Sequence, residues 1–515
     1  MSLIIKDFSK THFRVFPSGE MGTEDYRKLF YAMKKPVEGA RYMPSYKYGQ
    51  WDGTIEFLKY KTGLIKLGLF HKTLQLIKDM GIEVQHIDES ILTSHFRGEN
   101  EEIIREWLLR QKVYSKGTQL HPRDYQLDSV VEAIHNKKLL IQSPTSSGKS
   151  LIIYFITKFL LETIEGKILI IVPTTNLVNQ LYADFADYEN VPKVDWADIS
   201  TDKKRLDNKR VFISTWQTVI RKKEQEWWGQ FETLMVDEAH HCKAKSLDTI
   251  SNNLFNATWR FGFSGSVKQN WKDADFWTIV SQFGKIHTTT TTKELIEEKQ
   301  IAAAKVELVE IDHKEFKVPK SLDYREELNY ICSSPERNNE IERIVRNCEG
   351  NVLVLFSLVE KQGKPLFKQF QENFDDREIL LVYGDVSADE REEIRQCAES
   401  KDGVVILASY QTFSTGVNIK NLHNVIFASP TKSFTRIVQS IGRGLRKANG
   451  KESCTIYDLF DLLYGSSDKI RGTNFTYKHF FNRLQIYKQE NFPINLRKMK
   501  LIPVNSTLQT IENLL

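Results

Sequence analysis

The chain has 515 residues, 41% of them hydrophobic and 27% charged, with a formal net charge of +5. This is the composition of an ordinary globular protein, and it excludes a collagen-like, low-complexity or membrane-embedded chain. So small a net charge names no partner, and the distribution of charge matters more than its sum. The five cysteines (Cys242, Cys332, Cys348, Cys397, Cys454) are odd in number, widely spaced and form no C-x-x-C pair. Neither a disulfide framework nor a zinc ribbon is indicated. No apolar run approaches the roughly 18 residues of a membrane span, and Leu3 to Ile5 is too short for a signal-peptide core. The expectation is an intracellular, cytoplasmic protein with no membrane partner.

In chain order, residues 1–112 predict a small α+β domain. Thr54 to Leu58 and Leu64 to Leu69 read as strands, and Gly49, Gly53 and Gly63 mark turns. Ser115 to Pro122 reads as a linker. Over 113–300, apolar runs alternate with helical patterns: Leu139–Gln142, Lys167–Val172, Val211–Ser214, Leu234–Val236 and Phe261–Ser264. Such alternation predicts a parallel sheet flanked by helices. The pattern restarts over 301–463 with Asn351–Phe356, Glu378–Val382, Val404–Ala408, Asn424–Ala428 and Thr455–Tyr457. Two α/β lobes follow. Residues 464–515 read as a basic tail with helical stretches.

Three stretches carry chemistry. Ser143-Pro144-Thr145-Ser146-Ser147-Gly148-Lys149-Ser150 lies between an apolar strand and the apolar run Leu151 to Leu161. Strand, tight loop and helix start make a phosphate cradle: backbone N–H groups face the anion, Lys149 reaches the β/γ phosphates and the Ser150 hydroxyl can bind Mg²⁺. The strict pattern has Gly where Ser143 stands. Asp237-Glu238-Ala239-His240 directly follows an apolar strand, where one carboxylate can hold Mg²⁺ and its neighbour can polarise the attacking water. In Gln439 to Arg446, QSIGRGLR, Arg443 and Arg446 are three apart and share a helix face. They read either as solvated surface arginines or as guanidinium groups offered to a γ-phosphate.

At these stretches the sequence resembles a superfamily 2 helicase of the DEAH type, with motifs in order over 121–460. His121-Pro122-Arg123-Asp124-Tyr125-Gln126 resembles the Q-type motif, which implies a nucleotide role for Arg123 and an adenine contact by Gln126. Val172-Pro173-Thr174-Thr175 and Ser214-Thr215-Trp216-Gln217-Thr218 resemble motifs Ia and Ib. They imply backbone contacts to nucleic acid by Pro173, Thr174, Ser214, Thr215 and Thr218. Phe263-Ser264-Gly265-Ser266 stands at motif III, which couples hydrolysis to movement, and Val354-Leu355-Phe356 resembles motif IV. Ser414-Thr415-Gly416-Val417-Asn418 resembles motif V, implying nucleic-acid contacts by Ser409 and Thr415 and a nucleotide contact by Gly416. QSIGRGLR resembles motif VI, with Gln439 in a coupling role. His240, beside His241 and Cys242, does not read as a metal ligand, because adjacent residues poorly share one metal, and the resemblance implies for it a hydrogen-bonding link between motifs.

A closer resemblance covers nearly the whole chain. Tyr46 to Gly53, Ile168 to Thr175 and Ser409 to Val417 are similar to the UvsW family of phage recombination helicases. That family implies a small N-terminal nucleic-acid-binding domain before two RecA-like lobes. It further implies ATP and Mg²⁺ as cofactors and work in the infected bacterial cell. The implied substrates are single-stranded, double-stranded and branched DNA (Holliday junctions, stalled forks, R-loops with their RNA–DNA hybrid), and recombination or single-strand-binding proteins are candidate partners. Two departures stand out: Ser143 in the loop, and Ser-Gly-Ser where many relatives have Ser-Ala-Thr.

Between Arg41 and Lys72, six Lys/Arg stand against two Asp/Glu, interleaved with Tyr42, Tyr46, Tyr48, Trp51, Phe57 and Tyr60. Such a surface suits stacked bases and phosphates, with Arg41, Lys47 and Trp51 the leading candidates. The same rings equally suit the core of a small domain. From Tyr464 to Lys500, eight Lys/Arg stand against two Asp/Glu, which fits duplex contact or a solvated helix face. Three activities stay open: a DNA helicase, an RNA helicase, and an ATP-gated clamp without processive movement.

Overall fold

A computed structural model describes residues 3–198, 209–241, 245–265, 267, 269–316, 322–416, 419, 421–431, 433, 437, 440–442, 444–446, 451–464 and 474–501. The chain divides into two compact units, residues 1–290 and 291–515.

The first unit holds two large sheets beside two two-stranded ribbons, Lys34–Pro36 with Thr54–Glu56 and Val113–Ser115 with Thr118–Leu120. The smaller runs Leu58–Lys59, Leu64–Lys66, His12–Pro17, Leu3–Asp7 and Val84–Ile87 in spatial order. It is antiparallel except where Leu3–Asp7 meets Val84–Ile87. Its inward residues alternate along the strands, as one buried face requires: Leu3, Ile5, Phe13 and Val15 are fully buried. The larger sheet is all parallel, in the order Ala197–Asp198, Val211–Thr215, Lys167–Val172, Phe231–Val236, Trp259–Ser264, Lys138–Gln142, Lys285–Thr288. Its central strands are apolar on both faces because helices cover both.

The two sheets share one hydrophobic cluster, in which Leu67, Leu69 and Phe70 join Trp277, Ile279 and Val280. Phe57 packs on Trp277 with ring centroids 5.3 Å apart. The seam is also polar. Buried Lys138 donates to the carbonyls of His95 (3.0 Å) and Thr258 (3.1 Å), and Lys66 pairs with Asp248. Gly68 lies so close that a Cβ there would overlap the carbonyl oxygens of Val280 and Ser281.

The expected linker at Ser115 to Pro122 is instead largely a β-hairpin, Val113–Ser115 with Thr118–Leu120. Its two central residues, Lys116 and Gly117, have φ of 52° and 76°, the left-handed pair that a tight two-residue hairpin needs. Lys116 N–H donates to Asp187 at 2.7 Å and ties the hairpin to the large sheet's helical layer.

The second unit is built on a seven-stranded parallel sheet: Ile379–Val382, Val405–Ser409, Val352–Phe356, Asn424–Phe427, Ser453–Leu462, Ala303–Asp312, Ile494–Lys500. Each unit thus carries one RecA-like parallel sheet. The region after 464 is not only helical. Helix Phe475–Gln489 is followed by strand Ile494–Lys500, which completes the sheet edge. Glu327 accepts from the N–H groups of Phe475 (3.0 Å) and Thr476 (2.7 Å), placing a carboxylate at the positive end of that helix. Farther along, Arg483 reaches the buried carboxylate of Asp458 at 2.8 Å.

Candidate functional site

In the first unit's large sheet every strand points the same way, so the strand ends gather at one edge. Ligands of open parallel sheets bind there. Lys138–Gln142 ends in the phosphate loop. Buried Ser143 continues the sheet through its N–H to the Ser264 carbonyl at 2.9 Å. Ser146 has φ 71° and Gly148 φ 83°. Helix Lys149–Thr163 then starts with Gly148 as its left-handed cap. A side chain at Gly148 would overlap Gln126 Nε2, so the loop depends on glycine there for both conformation and space. Lys149 Nζ rests 3.2 Å from the Ser143 carbonyl oxygen.

Ser143, the departure from the usual glycine, is used structurally. Its hydroxyl bonds those of Ser147 and of Thr289, the latter at 2.9 Å. Thr289, within the run Thr288 to Thr292, thereby holds the cradle. The Q-type segment closes onto the same loop. Gln126 Nε2 donates to the Ser147 carbonyl at 2.8 Å, and its Oε1 accepts the Arg123 N–H at 2.9 Å. Tyr125 OH donates to the same Ser147 carbonyl at 2.9 Å, and Arg123 bonds Tyr125 OH at 2.6 Å. In this state the Gln126 amide ties the loop to the start of helix Asp124–Asn136. Pro144, Thr145 and Ser146 lie half-buried along the loop.

Phe231–Val236 ends in Asp237 and Glu238. Glu238 takes φ 49°, uncommon for a non-glycine residue and a mark of local strain. Burial and the Glu238 carboxylate push the Asp237 carboxyl up to about 7, despite Lys149 nearby. Between the acidic pair and the phosphate loop runs Trp259–Ser264, and there His240 Nδ1 lies 2.7 Å from Ser264 Oγ. His240 Nδ1 is also 3.4 Å from Glu238. The structure therefore brings together Ser143–Ser150, Asp237, Glu238, His240, Ser264, Arg123 and Gln126.

The next two strand ends carry the expected nucleic-acid contacts. Thr174 caps helix Thr175–Glu189, its hydroxyl accepting from Leu177 N–H, and Pro173 is half-buried beside it. Ser214 and Thr215 end Val211–Thr215, and Thr215 bonds Thr218 at 3.1 Å. Sequence reasoning missed Tyr188, at the far end of the helix that Thr174 caps. Its hydroxyl lies 2.7 Å from Ser150 Oγ, and burial, then Asp184, raises it above the ordinary phenol range, so it stays neutral. Nothing local marks it, because it meets Ser150 only through the packing of two helices.

In the second unit, buried Ser409 bonds Thr412 at 2.8 Å, and helix Tyr410–Gly416 carries Thr415 and Gly416, whose side-chain surroundings lie outside the described residues. Ser266, Gln439 and Arg443 also lie outside them. Arg446 is half-buried, and its carbonyl accepts from Lys451 at 2.9 Å.

On the small sheet's side, Trp51 is not the exposed ring expected of it. It is half-buried, and its indole N–H donates to the Thr54 carbonyl at 2.7 Å. Tyr48 at 78% and Tyr42 at 67% are the open rings, with Arg41 over Tyr42 at 4.8 Å and Lys47 exposed beside them. Among the described residues no helix is long and apolar enough to cross a membrane.

A phosphate loop and an acidic pair on one edge of a parallel sheet, followed by a second parallel-sheet unit, define the superfamily 2 helicase class. Three family descriptions match along the chain. They are the N-terminal region of DNA helicase UvsW over residues 3–88, the res subunit of type III restriction enzymes over 98–269, and the helicase conserved C-terminal domain over 336–448. The chain is 33% identical to the ATP-dependent DNA helicase uvsW of Enterobacteria phage T4, across 96% of this chain and 99% of that one. The crystal structure of T4 UvsW matches over 98% of this chain and all of that one, at 30% identity and a TM-score of 0.51. The type ISP restriction-modification enzyme LlaBIII shares the fold at 17% identity and a TM-score of 0.53, over 77% of this chain and 33% of that one. The chain belongs to the UvsW family of ATP-dependent DNA helicases.

Proposed function

We propose that the chain couples ATP hydrolysis to movement along DNA and remodels branched DNA: Holliday junctions, stalled forks and R-loops. One observation carries the reading, the order of groups along the first unit's sheet edge. Backbone-contact residues come first, then the acidic pair, the Ser264 link and the phosphate loop. A change at the phosphates therefore has a short, bonded route to the nucleic-acid side. Gln126 reads adenine after releasing the loop, Lys149 holds phosphate, and Glu238 orients the attacking water. Arg443 and Arg446 take the γ-phosphate role that the resemblance of their stretch to motif VI implies. Arg41 and Lys47, with the exposed rings of Tyr42 and Tyr48, take DNA on the N-terminal side of the first unit. Contacts of this kind read backbone rather than bases and predict low sequence specificity. Recombination or single-strand-binding proteins of the infected cell are the proposed partners.

The donor set fits Mg²⁺. The Asp237 carboxyl is raised by burial and then by the Glu238 charge, both of which a divalent cation would offset, and Asp237 with Ser150 supplies the hard oxygen ligands Mg²⁺ takes beside phosphates. When bound, the ion would neutralise charge developing on the phosphates.

The test is ATP turnover with forked DNA, single-stranded DNA and an RNA duplex, against Lys149→Ala. Strong stimulation by forked DNA, lost in the variant, is expected. Stimulation by RNA alone would replace the reading with an RNA helicase. Turnover without strand displacement would leave an ATP-gated clamp.

A further inference from the structure

Helix Thr175–Glu189 spans two parts of the proposed machine. Its N-cap is Thr174, at the expected nucleic-acid contact, and fifteen residues later it ends beside the phosphate loop's helix. At about 1.5 Å per residue it bridges roughly 22 Å. The far end is fixed by several bonds. The Tyr188 ring meets the edge of Tyr154 at 5.3 Å. Glu189 accepts from Lys158 at 2.7 Å and Trp196 at 3.1 Å, and Asn190 closes the helix with φ 53°. So held, the Tyr188 hydroxyl lies 2.7 Å from Ser150 Oγ.

A serine hydroxyl that gives a lone pair to a cation must send its proton elsewhere. Without an acceptor, a serine early in a helix turns toward nearby backbone carbonyls and carries its lone pairs with it. The Tyr188 hydroxyl, within hydrogen-bond distance of Ser150 Oγ, can act as that acceptor. We propose that Tyr188 is a positioning residue: it accepts the Ser150 proton, aims the Ser150 lone pair at the metal–phosphate position, and links that aim to the nucleic-acid contact through helix Thr175–Glu189. The inference rests on Ser150 as a Mg²⁺ ligand, as proposed above. Residues that orient metal ligands from behind typically change metal affinity by about 10- to 100-fold when removed.

The experiment measures the Mg²⁺ concentration for half-maximal binding of a fluorescent non-hydrolysable ATP analogue to the full chain, with and without a single-stranded oligonucleotide. Tyr188→Phe removes one oxygen and keeps the ring packing. It is expected to raise the Mg²⁺ requirement about tenfold, to keep the melting temperature, and to lose the shift that DNA causes in wild type. Glu189→Gln removes the charge beside Tyr188 but keeps an amide oxygen that can accept from Lys158 and Trp196, and it is expected to match wild type. A wild-type Mg²⁺ requirement in Tyr188→Phe overturns the proposal. An equal rise in Glu189→Gln overturns it too, by assigning the effect to that charge. A wild-type requirement unmoved by DNA removes the coupling through the helix. Ser150→Ala is the separate control: if it leaves the Mg²⁺ requirement unchanged, the metal role of Ser150 itself fails.

Discussion

The two seven-stranded sheets are alike in their parallel order and differ in where they keep their carboxylates. The first unit's sheet satisfies its buried cations Lys138 and Arg260 with backbone carbonyls and keeps Asp237 and Glu238 at a strand end, where Glu238 sits in left-handed backbone. The second unit's sheet buries ion pairs in its body. Asp461 takes Arg337 at 2.8 Å and His313 at 2.8 Å, all essentially without exposure. Asp458 takes Arg483 and, at 2.6 Å, the Tyr487 hydroxyl. Burial alone would raise Asp461, but Arg337 and His313 outweigh it and hold it down at about 2. The strained backbone of Ser146 and Glu238 gathers at one sheet edge, whereas the buried pairs fasten distant segments to one strand.

That contrast can be broken experimentally. Glu238→Gln should cut ATP turnover by about 10²- to 10⁴-fold while nucleotide binding persists, and near-normal turnover would remove the water-orienting role. Asp458→Leu should lower stability by about 3–5 kcal/mol, because Arg483 is left buried and unpaired. Denaturant unfolding should show most of that loss returning when Arg483→Met is added. If the double variant stays as unstable as the single one, the pair is not the fastening. Tyr48→Ala should weaken single-stranded DNA binding by about 1–3 kcal/mol. Trp51→Ala should act mainly on folding of the loop, since its indole is already bonded; equal DNA-binding losses in both would restore Trp51 as a contact.

The smallest effect concerns pH. Burial first, then Lys66 and Arg260, pushes His12 down to about 4, against a partial pull upward from Asp248. The unfolded chain then takes up a proton near pH 6.5 before the folded one does. The stability that neutral His12 contributes is full above pH 6.5 and is lost as pH falls toward 4. His12→Gln should flatten the acid dependence of the first unit's melting temperature over that window.

Sequence reading succeeded where a strand is covered on both faces. Lys167–Val172 was legible to the residue, and most other central strands to within one or two. It failed at edges. Lys285–Thr288 and Ile494–Lys500 are polar strands with no continuous apolar run, and the second is almost wholly exposed. Ser453–Leu462 looked far shorter than it is because Asp458 and Asp461 interrupt the pattern. They read as surface residues, while their partners Arg337 and Arg483 are remote in sequence. At the site, strand–loop–helix and strand–acid signals are local and could be read. Tyr188, Thr289 and the loop-binding role of Gln126 depend on which helices and loops meet, and no spacing records that.

The bare backbone contact at Gly68 has a wider consequence. The small sheet and the motor sheet below it share one interior, and neither owns the apolar residues between them. Cutting the chain after the small sheet would not free a module. It would strip Trp277 and Val280 of their cover and leave a sticky motor. The small sheet is therefore less an appendage than a fixed part of the phosphate loop's own framework.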